Sequence, residues 1–281
     1  GWHLGVAQWV LTPLPGRTGE LSLVALLPAL RRRLGLSAEL QVVKAPARYG
    51  WGGLGGLGVP EPASSGLRAA PSRRECSGLV LLSSCHRATE QLQRFFTDAR
   101  RRGQYPVTYR AVTVGVPAEA EGEVRTGLCW QQQGDTAMVV PVPAPGHRSL
   151  ARKEVKNTLT RYRVLGAAGG CALLQLQPRT GECPPPTPPS PHQHGPNPRA
   201  SPAFPEQLPV HLTLLLCPAL GDHEHSSRVG RVLGVPFLLP PEATPTRTQV
   251  LDEELLCRLG LSPQQLRRLP LHLHLQQLVL P

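Results

Sequence analysis

Lysine is almost missing from this chain: Lys44, Lys153 and Lys156 are the only ones, and the remainder of its 30 basic residues are arginine. Its positive charge therefore acts through planar guanidinium groups, which suit bidentate phosphate contacts and stacking on bases. Seven cysteines, at positions 76, 85, 129, 171, 183, 217 and 257, include no CxxC pair and are odd in number. That pattern fits free, mostly buried thiols in a reducing compartment rather than a disulfide framework. No apolar run reaches the roughly 18 residues that a membrane-spanning helix requires. The glycine-rich stretch from Gly50 to Gly58 lacks the GK[ST] ending of a phosphate-binding loop, so it implies no nucleotide site. Aspartate is scarce as well, with Asp98, Asp135, Asp222 and Asp252 the only four.

With 281 residues and 40% hydrophobic content, the chain is long enough to bury a sizeable core as one domain or two closely packed lobes. A formal net charge of +11 favours a polyanionic partner, nucleic acid first and an anionic membrane surface second. The same richness in Arg, Gly, Pro, Ala and Leu also fits a GC-rich coding sequence. The sequence opens at Gly1 rather than Met, and a targeting peptide is expected to lie outside it.

Periodicity predicts a helix over residues 20–36, kinked or divided at Pro28, and a strand over 38–44. A strand follows at 79–82, then a helix over 88–102 stopped by Gly103, and strands at 108–114, 137–142 and 171–176. Farther on, strands are expected at 210–216 and 271–280, a turn at Gly221-Asp222 and a helix over 252–259. Two low-complexity segments interrupt this order: 46–72, rich in Gly and Pro, and 182–205, which holds ten prolines. There is no internal repeat.

The stretch Arg74-Glu75-Cys76-Ser77-Gly78-Leu79-Val80-Leu81-Leu82 is a charged approach to a Ser-Gly pivot that opens into a continuous apolar run. It reads as a strand covered on both faces, which puts the residues just upstream at a sheet end beside a cleft. A plain core strand entered through a polar turn fits the same nine residues. His223-Glu224-His225 and His272-Leu273-His274, with His211 and Asp222, are candidate metal ligands by residue type. Surface or strand-end histidines are the plainer reading, and no metal is expected. Cys85 and His86 are sequence neighbours whose side chains should diverge on a strand, which weakens a Cys/His hydrolase reading.

The order of pieces carries more. Glu75 to Leu82, then Thr108-Tyr109-Arg110-Ala111-Val112-Thr113-Val114-Gly115, Arg179-Thr180-Gly181, Gln207-Leu208-Pro209-Val210-His211-Leu212, Gly221-Asp222 and Leu273-His274-Leu275 follow one another along the chain. This series resembles the RluA-type RNA pseudouridine synthases, and among them the mitochondrial ones. The match spans most of residues 15–281, whereas residues 1–14 fit poorly. Both low-complexity segments fall inside motifs, as retained non-coding sequence would. The resemblance implies an α+β, mixed fold with a mainly antiparallel sheet in two subdomains around a central cleft. It implies an activity too: isomerisation of uridine to pseudouridine in RNA, with no cofactor. Mitochondrial mRNA or rRNA would be the partner, with other mitochondrial RNA-processing proteins beside it, and the matrix the location.

In that family an Asp attacks the ribose C1′ or promotes loss of uracil, an Arg pairs with it, and a Tyr stacks on the flipped base. Aligned without gaps, the Asp position falls on Arg73. Glu75 matches the second acidic position of the motif, on the same strand face, and Tyr109 matches the Tyr; these two are the candidate catalytic residues. The Arg of the family's Q-I-R has become Pro209, and the Tyr of a G-D-x-x-Y motif has become His225. Losing the nucleophile lowers turnover by several powers of ten unless Glu75 or a partner substitutes. The alternative is a non-catalytic RNA-binding or assembly factor. RNA contacts are expected from Arg73, Arg74, Arg94, Arg100, Arg101 and Arg102.

Overall fold

The computed structural model describes residues 4–9, 23–46, 76–133, 136–142, 155–180, 204, 206–240 and 248–281. In chain order these form β1 (Leu4–Trp9), α1 (Leu23–Arg33), β2 (Gln41–Lys44), β3 (Ser77–Ser83), α2 (His86–Arg101), β4 (Val107–Val114), β5 (Glu121–Gln133) and β6 (Thr136–Val142). There follow β7 (Lys156–Ala168), β8 (Cys171–Thr180), α3 (Gln207–Leu214), β9 (Val229–Val232), β10 (Val235–Leu238), α4 (Glu253–Leu259), α5 (Pro263–Leu266) and β11 (Leu273–Leu278). The architecture is α+β, built on one nine-stranded sheet in the order β1-β3-β11-β4-β8-β7-β5-β6, with β2 also paired to β3. Every pairing is antiparallel except β11 with β3, which meet in parallel over two positions, His274 opposite Ser77 and Leu275 opposite Gly78.

Strand alternation sorts the sheet into two faces. Tyr109, Ala111, Leu174, Leu176, Leu273 and Leu275 point to one face and are buried there under Leu92 and Phe96 of α2 and Leu208 and Leu212 of α3. On the other face α4 and α5 cover one end, where Val112 and Cys171 meet Leu251, Leu255 and Leu266. Asp252 caps α4, its side chain accepting from Leu255 N–H at 2.7 Å, and Ser262 with Gln265 forms a capping box on α5. Leu4–Trp9, in the segment expected to fit the family motifs poorly, adds an edge strand to β3.

Residues 210–216, expected as a strand, form most of α3 instead. Gln207 through Thr213 are all buried, so the segment shows neither helical nor strand periodicity, and a short apolar run covered on every side is ambiguous by pattern. Pro209 sits in the first helical turn, where its missing N–H would have no intrahelical partner anyway. Strands β5 and β7, each 13 residues long, were not anticipated. Residues 47–75 and 181–203, which hold nearly all of both low-complexity segments, lie outside the described residues. Their flanks are adjacent all the same. Lys44 pairs opposite Leu81, and the Gln207 side chain donates to Arg179 O at 3.3 Å.

The Ser-Gly pivot has a steric cause. Gly78 has φ +136°, and a Cβ placed on it would stand 2.4 Å from Leu275 O and 2.5 Å from Leu275 N. Any side chain there would wedge β3 and β11 apart. Gly78→Ala is expected to lower stability by about 3 kcal/mol or more, from overpacking combined with a backbone region closed to L side chains. Urea unfolding of the two proteins measures it.

Candidate catalytic cleft and nucleic-acid interface

On the strand approach that should carry the reacting group, the described residues begin at Cys76, which is 4% exposed. Arg73, Arg74 and Glu75 lie outside the described residues. Beyond the pivot, Gly78, Leu275, Tyr109, Leu176 and Tyr162 stand in register across five strands. Tyr109 is thereby placed in the middle of the sheet, on the face covered by α2 and α3, and is 1% exposed. On the opposite face of the same junction, Ser77 Oγ and His274 Nδ1 share a hydrogen bond of 2.9 Å, and burial lowers the His274 pKa. All of these positions except Tyr162, on the unanticipated β7, had a sequence signal. Their convergence did not, because it depends on β11 inserting between β3 and β4 from the far end of the chain.

Next to this row, a polar chain ties α3 to the sheet. Gln207 Nε2 donates to Leu159 O at 2.9 Å and to Thr160 Oγ1 at 3.2 Å, and Thr160 Oγ1 lies 2.8 Å from His211 Nδ1. Thr158 Oγ1 donates to Thr126 O at 2.9 Å and stands 3.0 Å from His211 Nε2. A single proton arrangement satisfies the chain: the Thr160 hydroxyl donates to Nδ1, and Nε2–H donates to Thr158. Burial pushes the His211 pKa down to about 3, so the ring is neutral, as this arrangement requires.

The histidines around Gly221-Asp222 have structural partners too. His223 Nδ1 accepts from Gln249 N–H at 3.1 Å, which leaves Nε2–H to donate to Leu269 O at 3.2 Å. His225 lies between two buried carboxylates, with Nδ1 3.3 Å from Asp222 Oδ1 and Nε2 3.3 Å from Glu206 Oε2. Burial alone would lower the His225 pKa, but the charge of Asp222 and the hydrogen bonds that the ring donates to both acids hold it well above the ordinary value. Burial likewise raises the Asp222 carboxyl, and the charge and hydrogen bonds of His225 together with the Glu224 N–H outweigh it, leaving the pKa lowered. An imidazolium bridging two carboxylates is the result. Gly221 has φ +80° and approaches so closely that an added Cβ would lie 2.0 Å from Pro270 O. His272 Nδ1 lies 2.8 Å from Pro270 O. Among the described residues no group of three or more His, Cys, Asp or Glu side chains is arranged to hold a metal ion. The clustering in sequence reflects these separate structural roles.

Of the arginines expected to contact RNA, Arg94 is exposed on α2 and Arg102 is exposed just past its end. Arg100 and Arg101 belong to the last turn of α2, and their side chains lie outside the described residues. The sequence reading missed a second basic group, Arg110 on β4, Arg125 on β5 and Arg161 and Arg163 on β7, all exposed. The alternation Thr158-Leu159-Thr160-Arg161-Tyr162-Arg163 was the available signal.

No protein-family profile matches the chain. A solved structure, Human RNA Pseudouridylate Synthase Domain Containing 4, superposes with a TM-score of 0.57 at 22% identity, covering 97% of this chain and 78% of that one. The fold is thus the pseudouridine synthase fold. In sequence the chain is 42% identical over 270 residues to "Mitochondrial mRNA pseudouridine synthase Rpusd3" of Mus musculus, covering 96% of this chain and 64% of the relative. The Homo sapiens protein of that name gives 42% over 270 residues, 96% and 63%. "Pseudouridylate synthase RPUSD4, mitochondrial" of Danio rerio is 29% identical over 225 residues, 74% of this chain and 50% of the relative. The chain spans a little under two thirds of the length of the mouse and human proteins. It belongs to the RluA-type RNA pseudouridine synthase family.

His225→Ala leaves Glu206 and Asp222 facing each other without their cation and is expected to cost about 3–5 kcal/mol. Because the folded pKa of His225 is raised, its contribution is fully present below about 6.5 and is lost as pH climbs through the raised value. The gap between wild type and variant in chemical denaturation should therefore narrow on the alkaline side. His211 works in the other direction. Its folded pKa near 3 means that stability falls as pH drops from about 6.5 toward 3, and His211→Gln should flatten that slope.

Proposed function

We propose that this chain is a mitochondrial RNA pseudouridine synthase-like protein that binds RNA at the junction of β3, β11 and β4. The observation that supports the reading most is its 42% identity over 270 residues to relatives named for mitochondrial mRNA pseudouridine synthesis. The order of motif segments along the sheet, with Arg179 and Gln207 brought together across the proline-rich segment, agrees with it.

In the reaction a carboxylate attacks the ribose C1′ as the bond from C1′ to N1 of uracil breaks. The detached base rotates, its C5 bonds to C1′ as the carboxylate leaves, the C5 proton is lost and N1 gains one. Every atom of the substrate is retained, so no co-substrate is consumed. What the chain must supply is the carboxylate. Asp222 is bound into the buried cluster, Asp252 caps α4, and Asp98 lies on α2, so none of these three stands on the approach to β3. Glu75 is the acid we assign to the role, one side-chain methylene longer than Asp and two residues past the family position. Turnover is accordingly expected to be slow.

A second reading, RNA binding without turnover, has a specific observation in its favour: Tyr109 is enclosed by Leu176, Leu275 and their neighbours, and the ungapped motif alignment, which puts Arg73 at the nucleophile position, agrees with it. Tritium release from RNA carrying 5-tritiated uridine separates the two. Release by wild type that drops at least 100-fold in Glu75→Gln is the result expected of the enzyme. Normal RNA binding with no release rejects turnover and leaves the binding reading standing.

A further inference from the structure

The part of the sheet face left open by α4 and α5 carries a built arrangement around Arg161. Its guanidinium carbon lies 4.5 Å from the centre of the Tyr105 ring, and its Nε donates to Glu123 Oε1 at 2.7 Å. Glu123 also accepts from Arg125 Nη2 at 2.5 Å, and hydrogen bonds from Arg161 and then Arg125 lower its pKa. Arg161 is thus held on one side by an aromatic ring and at its edge by a carboxylate, while its side chain stays 53% exposed. A guanidinium fixed in this way is a ready plane for stacking, and the ordering cost is already met in the free protein.

Flanking cations share the face. Arg110 on β4 is directly opposite Gln175 on β8, and Gln175 is opposite Arg163 on β7, so the three side chains project together in a row across adjacent strands. With strands about 4.8 Å apart, Arg110 and Arg163 stand roughly 10 Å from each other, with Arg161 two residues along β7 on the same face. Arg163 is paired with Glu121 at 3.2 Å, both side chains being more than 60% exposed, and such a pair yields readily to a competing anion. Arg110 has no ion-pair partner among the described residues. Four arginines, counting Arg125, stand against Glu121 and Glu123. Planar cations, an aromatic ring and amide side chains such as Gln175 and Gln177 on one open sheet face are the chemistry that takes an unpaired nucleic-acid strand.

We propose that this face is a binding surface for single-stranded RNA, separate from the Tyr109 face, on which Arg161 stacks with a base while Arg163 and Arg110 contact phosphates. The proposal rests on the RNA-binding reading above and assigns that binding to residues on β4 and β7. Fluorescence anisotropy of a short labelled single-stranded RNA with the full chain, repeated over a salt series, tests it. Arg161→Ala is expected to weaken binding about 5- to 100-fold. Arg161→Lys, which keeps the charge but not the plane, should lose most of that factor without changing the salt slope. Arg110→Ala and Arg163→Ala should each reduce the slope of log affinity against log salt by about 0.7. Circular dichroism and melting confirm that the variants are folded, and Arg161→Lys, the mildest change, serves if Arg161→Ala is not. A triple variant of Arg110, Arg161 and Arg163 that binds within twofold of wild type with an unchanged slope overturns the assignment while leaving RNA binding intact. A wild-type chain that binds no RNA removes both.

Discussion

Strand β11 joins the two halves of the sheet through contact between backbones, because at Gly78 and Leu275 there is no room for a side chain on the β3 side. The arrangement around that junction depends on this approach. It lets a segment close to the end of the chain lie between β3 and β4, and so sets Gly78, Leu275 and Tyr109 in one register. The pairing is short, two positions in parallel, and the bond between Ser77 and His274 supplements it from the other face. A sheet assembled from distant segments by so few ladder bonds needs its register specified, and a glycine that excludes every other residue specifies it sterically.

Buried polar groups do comparable work on the helical side. The chain from Gln207 through Thr160, His211 and Thr158 to Thr126 O crosses from α3 to β7 and β5 with every hydrogen assigned. Its histidine is neutral because burial opposes charge. His225, also buried, is charged because two carboxylates flank it. Two histidines in one interior thus carry opposite protonation states, and the neighbours rather than the depth decide which. His211 ties α3 to the sheet, and His225 ties Glu206, at the head of α3, to the Gly221-Asp222 turn; Gln207 itself reaches Arg179 O although 27 residues lie between them.

Much of this was legible. Helix α2, strands β3, β4, β8 and β11, helix α4 and the Gly221-Asp222 turn stood where apolar periodicity and turn residues put them, within a few residues at the ends. Strands β5 and β7 did not, because their outward positions carry Glu121, Glu123, Arg161 and Arg163, and glycines at 122, 127 and 166 dilute the apolar alternation. Helix α3 was misread because full burial removes periodicity. The arginines of β4 and β7 went unnoticed as a group for the same reason that β7 was missed, since a shared face exists only once strands are in register.

Family membership and the identities of Gly78, Tyr109 and Gly221-Asp222 follow from the sequence by itself, since they rest on residue types in a fixed order, and that order survives two long interruptions. Which histidine is charged, which face Tyr109 occupies, and which arginines stand together were decided only by the tertiary structure. Those properties belong to pairs and triples of residues as much as 197 positions apart in the chain, where register, burial and neighbouring charge set the chemistry.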